Sequence, residues 1–262
     1  MFRLVPLASG SSGNVTYIEA DDVRLLVDAG KNCKTVCGLL DKIGVDPRSI
    51  TGILVTHEHS DHVCGVNVLS KNYNLPVFAN EKCWLAMRDI LAGVAAHNRR
   101  VFVSDEEFFI GGLRVFPFTT YHDVAHPVGF TFTYEGNKCA VCTDIGHIDE
   151  RIIAALSGCR LVLLESNHDI DLLVSGPYPP ELKRRVMSGN GHLCNEDCGR
   201  ALVRLYRSGV RGAILGHLSR ENNYPPLAVA TVREILMAEG IGDEMQLALA
   251  LRDEPTGIFE IT

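Results

Sequence analysis

The sequence predicts a single α/β domain of 262 residues, with two halves over roughly 1–144 and 145–262. Three observations lead to this fold class. Helical and strand patterns alternate along the chain, and no linker, low-complexity segment or repeat interrupts them. The composition, with 46% hydrophobic and 22% charged residues, is that of an ordinary globular protein. The length also suits one large α/β domain.

The first half begins with strands and then alternates. A turn at Gly10–Asn14 separates the first two strands, since glycine, serine and asparagine favour turns. The predicted strands cover 2–8, 15–20, 24–29, 53–55, 76–79, 99–103, 128–134 and 138–143, with a hairpin across Gly111-Gly112. The predicted helices cover about 33–43, 62–71 and 81–92.

The second half alternates more regularly between helices and strands. Helices are predicted near 149–157, 180–188, 196–208 and 226–239. Strands are predicted at 160–165, 212–216, 246–252 and 257–261.

The densest group of chemically active side chains is Thr56–His62, which follows the apolar run Ile53–Val55. In an extended segment His57 and His59 share one face. Asp61 and His62 then offer a second pair of donors to a second centre. One short loop at a strand end can therefore supply ligands to two metal ions.

Further candidate ligands follow later strands. His122 comes after a predicted strand that ends at Tyr121, Asp144 follows the strand at 138–143, and His217 follows the strand at 212–216. Because all three are at strand ends, one pocket could collect them with the histidine loop. His126 remains an alternative to His122, whereas His97 and His147 are expected to be solvated or supporting groups.

The H-x-H-x-D-H pattern after a strand resembles the signature of the metallo-β-lactamase superfamily. The resemblance implies a four-layer αββα sandwich and two divalent metal ions per chain. One ion would be held by His57, His59 and His122, the other by Asp61, His62 and His217, with Asp144 as a bridge. Nitrogen and oxygen donors without thiolate favour zinc or manganese. Asp28 resembles the buried aspartate that supports the histidine loop in this superfamily.

Two further motifs narrow the implied chemistry. Glu165 and His192 resemble a glutamate motif and a Gly-His motif of phosphodiesterase members such as the tRNA 3′-processing nucleases. The resemblance implies that Glu165 orients His192, which contacts the scissile phosphate or protonates the leaving oxygen. Capping of the helix that begins near Asn195 is the alternative for His192. His168 is expected either in the active-site wall, as a supporting group, or as an ordinary loop residue.

The chain resembles the compact YycJ/WalJ group of 5′-to-3′ exonucleases most closely. The matching segments are Leu7–Asn14, Thr56–His62, Glu165–Asp169, Gly176–Pro179, Gly189–Asn195 and Leu215–Ser219. This resemblance implies a metal-dependent nuclease that acts on a 5′ end of DNA, with mismatch repair as a candidate pathway. Cys194 departs from the expected serine. Ser11, Ser12, Asn14 and Asn195 are the candidate contacts to a terminal phosphate.

Other activities remain open at this stage. An RNA-processing endonuclease of the same fold and a hydrolase of thioesters or small-molecule esters would use the same metal ligands. A non-catalytic metal-binding protein is a third alternative. The spacing between Asp144 and His217 leaves no room for a large inserted domain, which favours the compact nuclease group.

The formal charge of −7 argues against long-range sliding on nucleic acid, because nonspecific affinity comes mainly from lysine and arginine. Two divalent ions would make the site locally positive. Lys183-Arg184-Arg185 and Arg99-Arg100 are candidate strand contacts. We therefore expect weak binding directed to strand ends.

The sequence contains neither an apolar run of membrane-spanning length nor a signal-like segment, so the expected location is cytoplasmic, without a membrane partner. The nine cysteines are expected to be thiols. Cys139 and Cys142, and likewise Cys194 and Cys198, are expected to be buried core residues rather than metal ligands.

Overall fold

The computed structural model describes residues 1–262 and contains two seven-stranded β-sheets. The strands are β1 (Phe2–Ala8), β2 (Val15–Ala20), β3 (Val23–Val27), β4 (Gly52–Leu54), β5 (Val77–Asn80), β6 (Arg99–Phe102), β7 (Phe108–Ile110), β8 (Leu113–Thr119), β9 (Val128–Tyr134), β10 (Asn137–Cys142), β11 (Leu161–Glu165), β12 (Gly212–Gly216), β13 (Gln246–Leu249) and β14 (Phe259–Glu260).

Nine α-helices connect these strands. They are α1 (Cys33–Lys42), α2 (Ser60–Val63), α3 (Val66–Tyr73), α4 (Glu81–Ala86), α5 (Glu150–Leu156), α6 (Ile170–Ser175), α7 (Pro180–Val186), α8 (Asn195–Arg207) and α9 (Pro225–Ala238). None of them is both long and hydrophobic enough to cross a bilayer.

The first sheet has the order β14-β1-β2-β3-β4-β5-β6, and the second has the order β13-β12-β11-β10-β9-β8-β7. In each sheet antiparallel pairs lead into a run of parallel strands, from β3 to β6 in the first and from β10 to β13 in the second. The chain passes from one sheet to the other between β6 and β7, whereas the predicted halves meet near residue 144. β14 then returns to β1 of the first sheet.

Three hydrophobic clusters show how the layers stack. Residues such as Leu25 and Phe130 fill the space between the sheets. Val36 and Leu40 of α1 pack with the outer face of the first sheet, while Leu202 of α8 packs with the outer face of the second. Burial of these apolar side chains on both sides of each sheet is the main stabilising contribution. The predicted αββα sandwich is confirmed.

The cysteine predictions also agree with the structure. Cys139 lies in the cluster between the sheets, whereas Cys142, three positions later, lies in the cluster beneath the helices of the second sheet. Successive strand residues alternate between faces, so these two thiols cannot share a metal ion. Cys194 and Cys198 are buried, and all nine cysteines are free.

Some helix boundaries differ from those predicted. The helix expected over 62–71 is two helices, α2 and α3, and Gly65 is the N-cap of the second. A Cβ atom at Gly65 would lie 2.1 Å from the carbonyl oxygen of Lys31, so the chain needs glycine at this close approach. The helix expected over 81–92 ends at Ala86, and α6 was not predicted.

Candidate metal centre and active site

The site is built on strand ends with an unusual backbone conformation. Asp28, Asp144 and His217 follow β3, β10 and β12, and they have φ values of 60°, 57° and 54°. Non-glycine residues seldom adopt this left-handed conformation, which costs on the order of 1–3 kcal/mol and is concentrated at functional sites. The backbone is therefore locally strained at the three positions that carry these side chains.

One group of potential ligands consists of His57, His59 and His122, whose ligand atoms all lie within 4.8 Å of one another. Nε2 of His57 lies 3.2 Å from Nδ1 of His59. Nδ1 of His122 donates to the carbonyl oxygen of Gly191 at 3.0 Å, which leaves Nε2 free as a metal ligand. Burial lowers the pKa of His57 well below its usual value, so its imidazole is kept neutral, the form that binds metal.

The second group consists of Asp61, His62 and His217. Nδ1 of His62 donates to Oδ2 of Asp28 at 2.8 Å, and Nδ1 of His217 donates to Oε1 of Glu165 at 2.7 Å. A carboxylate on one ring nitrogen fixes the tautomer and points the other nitrogen inward, as in many metal sites.

Asp144 lies between the two groups. Its Oδ2 is 3.2 Å from Nε2 of His62, and its Oδ1 is 3.5 Å from Nε2 of His217. It also forms a potential ligand group with His57 and His62. His62 and His217 belong to the second group and His57 to the first, so Asp144 lies within reach of both groups, as a bridging ligand would.

The donor atoms fit divalent cations. Nε2 of His217 and Oδ2 of Asp144 are buried and have no hydrogen-bond partner. Oδ2 of Asp144 lies 3.2 Å from Nε2 of His62, the ring nitrogen opposite the one that bonds to Asp28. Buried polar atoms without partners are costly, and a cation between them would satisfy both.

The carboxylate of Asp28 supports the histidine loop. Its Oδ1 accepts from the backbone N–H of Thr56 at 2.8 Å, and its Oδ2 accepts from the Thr56 hydroxyl at 2.8 Å. Burial raises the pKa of Asp28, although its hydrogen bonds with His62 and Thr56 act to lower it. For His62, burial acts to lower the pKa, but the carboxylates of Asp144 and Asp28 outweigh it and raise that pKa well above the usual value.

Glu165 is fully buried and joins two histidines. Its Oε1 accepts from Nδ1 of both His192 and His217, at 2.8 and 2.7 Å, and its Oε2 accepts from the N–H of Ile145. Burial acts against both charged forms. The pairing nevertheless lowers the pKa of Glu165 to about 2 and raises that of His192 to about 9. This pair corresponds to the one proposed from the sequence.

The ligand groups open into a cavity of about 280 Å³. The residues that line it are Ser11, His59, Ser60, Asp61, His122, Asp144, Arg185, His192 and His217. A smaller cavity of about 130 Å³ shares Ser11, Arg185 and His192 with it. We call the two cavities together the metal cleft.

The predicted phosphate contacts lie in different environments. Ser11 lines the metal cleft, whereas the hydroxyl of Ser12 accepts from Nζ of Lys31 and lines neither cavity. Asn14 is buried: its Oδ1 accepts from the N–H of Gly10, and its Nδ2 lies 3.0 Å from Nε2 of His62. Asn14 therefore supports the loop and the metal group more directly than it could bind substrate.

The prediction for Asn195 has to be corrected. This residue is completely buried, and its side chain is hydrogen-bonded to Ser166 and Asn223. It is absent from the lining of the metal cleft because Cys194, one position earlier, is the N-cap of α8. Asn195 thus lies in the first turn of the helix and faces the protein interior.

The remaining histidines are separate from the ligand groups. His126 belongs to none of these groups, whereas His122 lies with His57 and His59. His168 is buried, and burial lowers its pKa to about 4. His97 bonds to Asn74, and His147 stacks on Tyr121 at the surface.

Basic residues are distributed unevenly around the site. Arg185 borders both cavities of the metal cleft and forms a bidentate ion pair with Asp123. Asp123 was not predicted as a site residue, although it directly follows His122 in the sequence. Arg99 and Arg100 lie on the edge strand β6. Arg99 packs over Trp84, and Arg100 donates to the carbonyl oxygen of His97, so neither belongs to the cleft.

Comparisons with known proteins agree with this geometry. Residues 8–185 match the metallo-beta-lactamase superfamily. The chain is 38% identical to the exodeoxyribonuclease YycJ of Bacillus anthracis, over 90% of this chain and 89% of that relative. It is 36% identical to the exodeoxyribonuclease WalJ of Streptococcus pneumoniae, over 99% of this chain and 98% of the relative.

Solved structures share the fold at low sequence identity. The Zn²⁺-bound PqqB of Methylobacterium extorquens superposes with a TM-score of 0.74 at 16% identity, over 99% of this chain and 100% of that one. The short form of human tRNase Z gives 0.68 at 14% identity, over 99% of each chain. With the histidine and aspartate groups described above, these matches show that the chain belongs to the metallo-beta-lactamase superfamily and is a metal-dependent hydrolase.

Proposed function

We propose that this hydrolase cleaves phosphodiester bonds of DNA stepwise from a 5′ end. The observation that carries the proposal is the position of His192 in the metal cleft. Its ring centroid lies 5.0 Å from that of His122 and 5.3 Å from that of His217, so it adjoins both ligand groups without belonging to the histidine loop. The named activity of the YycJ and WalJ relatives supports a DNA substrate.

The proposed cofactor is a pair of divalent ions, zinc or manganese. His57, His59 and His122 would hold one ion, Asp61, His62 and His217 would hold the other, and Asp144 would bridge them. When bound, such ions lower the pKa of water and offset negative charge on a phosphate. The donors are nitrogen and oxygen atoms throughout, which suits these two metals.

Other residues of the cleft would transfer a proton and bind the phosphate. Glu165 is buried and holds Nδ1 of His192, which leaves Nε2 of that ring directed to the cleft. From this position His192 donates a proton to the leaving 3′ oxygen, a step that contributes roughly 10²- to 10⁴-fold in enzymes that use it. Ser11 and Arg185 line the same space and can donate hydrogen bonds to phosphate oxygens.

The distribution of charge favours recognition of a strand end. The net charge is −7, and the adjacent Arg99 and Arg100 lie outside the cleft, which argues against strong nonspecific binding to internal duplex. A terminal 5′ phosphate adds charge and acceptor oxygens that Ser11 and Arg185 could meet. We place Ser12, which is exposed beside Lys31, at the outer margin of this contact.

The proposed biological setting is DNA repair, with mismatch repair as the candidate pathway. A nuclease that removes one strand progressively from an end suits the excision step of such a process. The nine free thiols are compatible with the reducing interior of a cell.

Digestion of DNA labelled differently at its two ends tests the polarity. Linear strands with a 5′ phosphate should shorten stepwise from that end in manganese or zinc, strands without the phosphate should react more slowly, and covalently closed circles should resist. Early internal fragments, or circles cut as fast as linear strands, would favour an endonuclease. RNA strands and a thioester in parallel reactions test the two other substrate classes.

A further inference from the structure

A stack of three side chains lies beside the metal cleft and takes no part in metal binding. The imidazole of His147 lies on the ring of Tyr121, with 4.0 Å between ring centroids and 25° between ring planes. The guanidinium of Arg151 lies 5.6 Å from the centroid of the same tyrosine ring. We call these three residues the rim stack.

Hydrogen bonds hold the rim stack in place. Nδ1 of His147 donates to the carbonyl oxygen of Gly189 at 2.8 Å, and the hydroxyl of Tyr121 donates to Oδ2 of Asp149 at 2.8 Å. Nε of Arg151 donates to the same carboxylate oxygen at 2.9 Å. Because these side chains are already ordered, a ligand that stacks on them loses little additional entropy.

The rim stack is tied to the segments that carry the site. Tyr121 directly precedes His122, and its carbonyl oxygen accepts from the N–H of Gly146, one residue before His147. Gly189 belongs to the loop that leads to His192. A Cβ atom at Gly146 would lie 2.3 Å from the carbonyl oxygen of Gly189, so these segments are in close contact. The stack therefore lies against the segments that carry His122 and His192.

The exposed surface of the rim stack presents an aromatic ring beside a guanidinium group. His147 is exposed although one face of its ring covers Tyr121, so the other side is open to solvent. The Arg151 side chain is 72% exposed. A planar ring beside a guanidinium group matches a nucleobase attached to a phosphodiester backbone, and stacking of this kind tolerates every base. That tolerance is what a nuclease without sequence preference requires.

We propose that His147, supported by Tyr121, stacks on a nucleobase of a strand whose scissile phosphate lies in the metal cleft. The inference rests on the proposed function and adds to it a specific contact with the base. The guanidinium group of Arg151 donates to the hydroxyl of Tyr121 and so helps to hold that ring beneath His147. His147 thus acts on binding of the strand, not on the bond that breaks.

A double-mutant cycle between protein and substrate tests the contact. His147→Ala should raise KM for an oligonucleotide about 5- to 100-fold, the range measured for loss of one stacked base. An abasic nucleotide scanned along the strand should weaken the wild-type enzyme similarly at one position only. At that position the abasic nucleotide should not raise the KM of His147→Ala any further. His147→Phe should bring the KM most of the way back to the wild-type value.

His97→Ala is the matched control, because His97 is an exposed histidine bonded to Asn74 and is distant in sequence from every site segment. It should keep the wild-type KM. An unchanged KM in His147→Ala would overturn the contact. So would increases in KM from the abasic nucleotide and from His147→Ala that multiply each other at every position of the strand. If the wild-type enzyme cleaves no DNA, the proposed function fails instead. In that case, the fluorescence of a strand that contains 2-aminopurine tests the stacking contact independently. Wild-type protein and His97→Ala should quench it, and His147→Ala should not.

Discussion

Nδ1 of His192 lies 2.8 Å from Oε1 of Glu165, a carboxylate that is fully buried. The pair is therefore fixed before any substrate arrives, and only the opposite nitrogen of the imidazole can face the cleft. His192 is thus held through Glu165, which also bonds to Nδ1 of His217, and not through the histidine loop.

For this reason His192→Ala should keep two ions per chain yet lose roughly 10²- to 10⁴-fold in kcat. Single-turnover kinetics with elemental analysis of the same preparation measure both quantities. His126→Ala, which alters a half-buried histidine outside the ligand groups, should keep both. An unchanged kcat in His192→Ala would assign the side chain a supporting role instead.

Asp144→Asn should weaken both metal sites. Asp144 shares a potential ligand group with His57 of the first group, and its Oδ1 lies 3.5 Å from Nε2 of His217 of the second, so the amide removes negative charge that both cations would share. Asp61→Asn is the comparison, because Asp61 belongs to the second group alone and its variant should retain the first ion. Elemental analysis after dialysis distinguishes the two results. Two tightly held ions in Asp144→Asn would exclude a bridge.

Asp28→Asn should lower metal affinity about 10- to 100-fold, because the carboxylate fixes the orientation of His62. The left-handed backbone tolerates asparagine. However, the new amide group must face the donors of Thr56 or His62, which should cost about 1–3 kcal/mol of unfolding free energy. Chelator competition and urea denaturation of the metal-free protein measure the two effects. Wild-type values in both assays would show that the aspartate is dispensable.

The buried His168 should make stability depend on pH. Its folded pKa is about 4, below the usual value near 6.5, so the unfolded chain takes up a proton first as the pH falls. Stability from this group is therefore complete above about pH 6.5 and is lost between there and about pH 4, by up to roughly 3 kcal/mol. Urea denaturation at several pH values should show a shallower slope for His168→Leu than for wild type, both metal-free. Parallel slopes would contradict the assignment.

Much of the site could be predicted because its ligands lie where strands end. β12 has the predicted boundaries, and residues that follow the parallel strands β10, β11 and β12 meet at one edge of the sheet. Asn195 could not be placed in the same way. A shift of one residue in the start of a helix rotates a side chain by about 100°. The true N-cap, Cys194, is a residue type that seldom caps helices.

Helix breaks and the rim stack also escaped prediction, for a different reason. Gly65 separates α2 from α3 because it approaches Lys31, and His147 lies on Tyr121 across 26 positions of sequence. Both depend on tertiary contacts that no local pattern contains. The sequence could indicate that His147 is not a ligand, but not which ring it contacts.

The backbone N–H of His217 donates to the hydroxyl of Ser9 at 2.8 Å, across 208 positions of sequence. During synthesis from the N-terminus, the histidine loop is therefore complete roughly 150 residues before its last partner exists. At about 5–20 residues per second, that interval lasts roughly 8 to 30 s. During this interval the four ligand residues of the histidine loop, His57, His59, Asp61 and His62, can meet any cation near the ribosome. The remaining ligands, which would fix the geometry and so select one metal, are not yet all present. Selection of the correct metal is therefore expected to begin only when the second sheet has folded against the first.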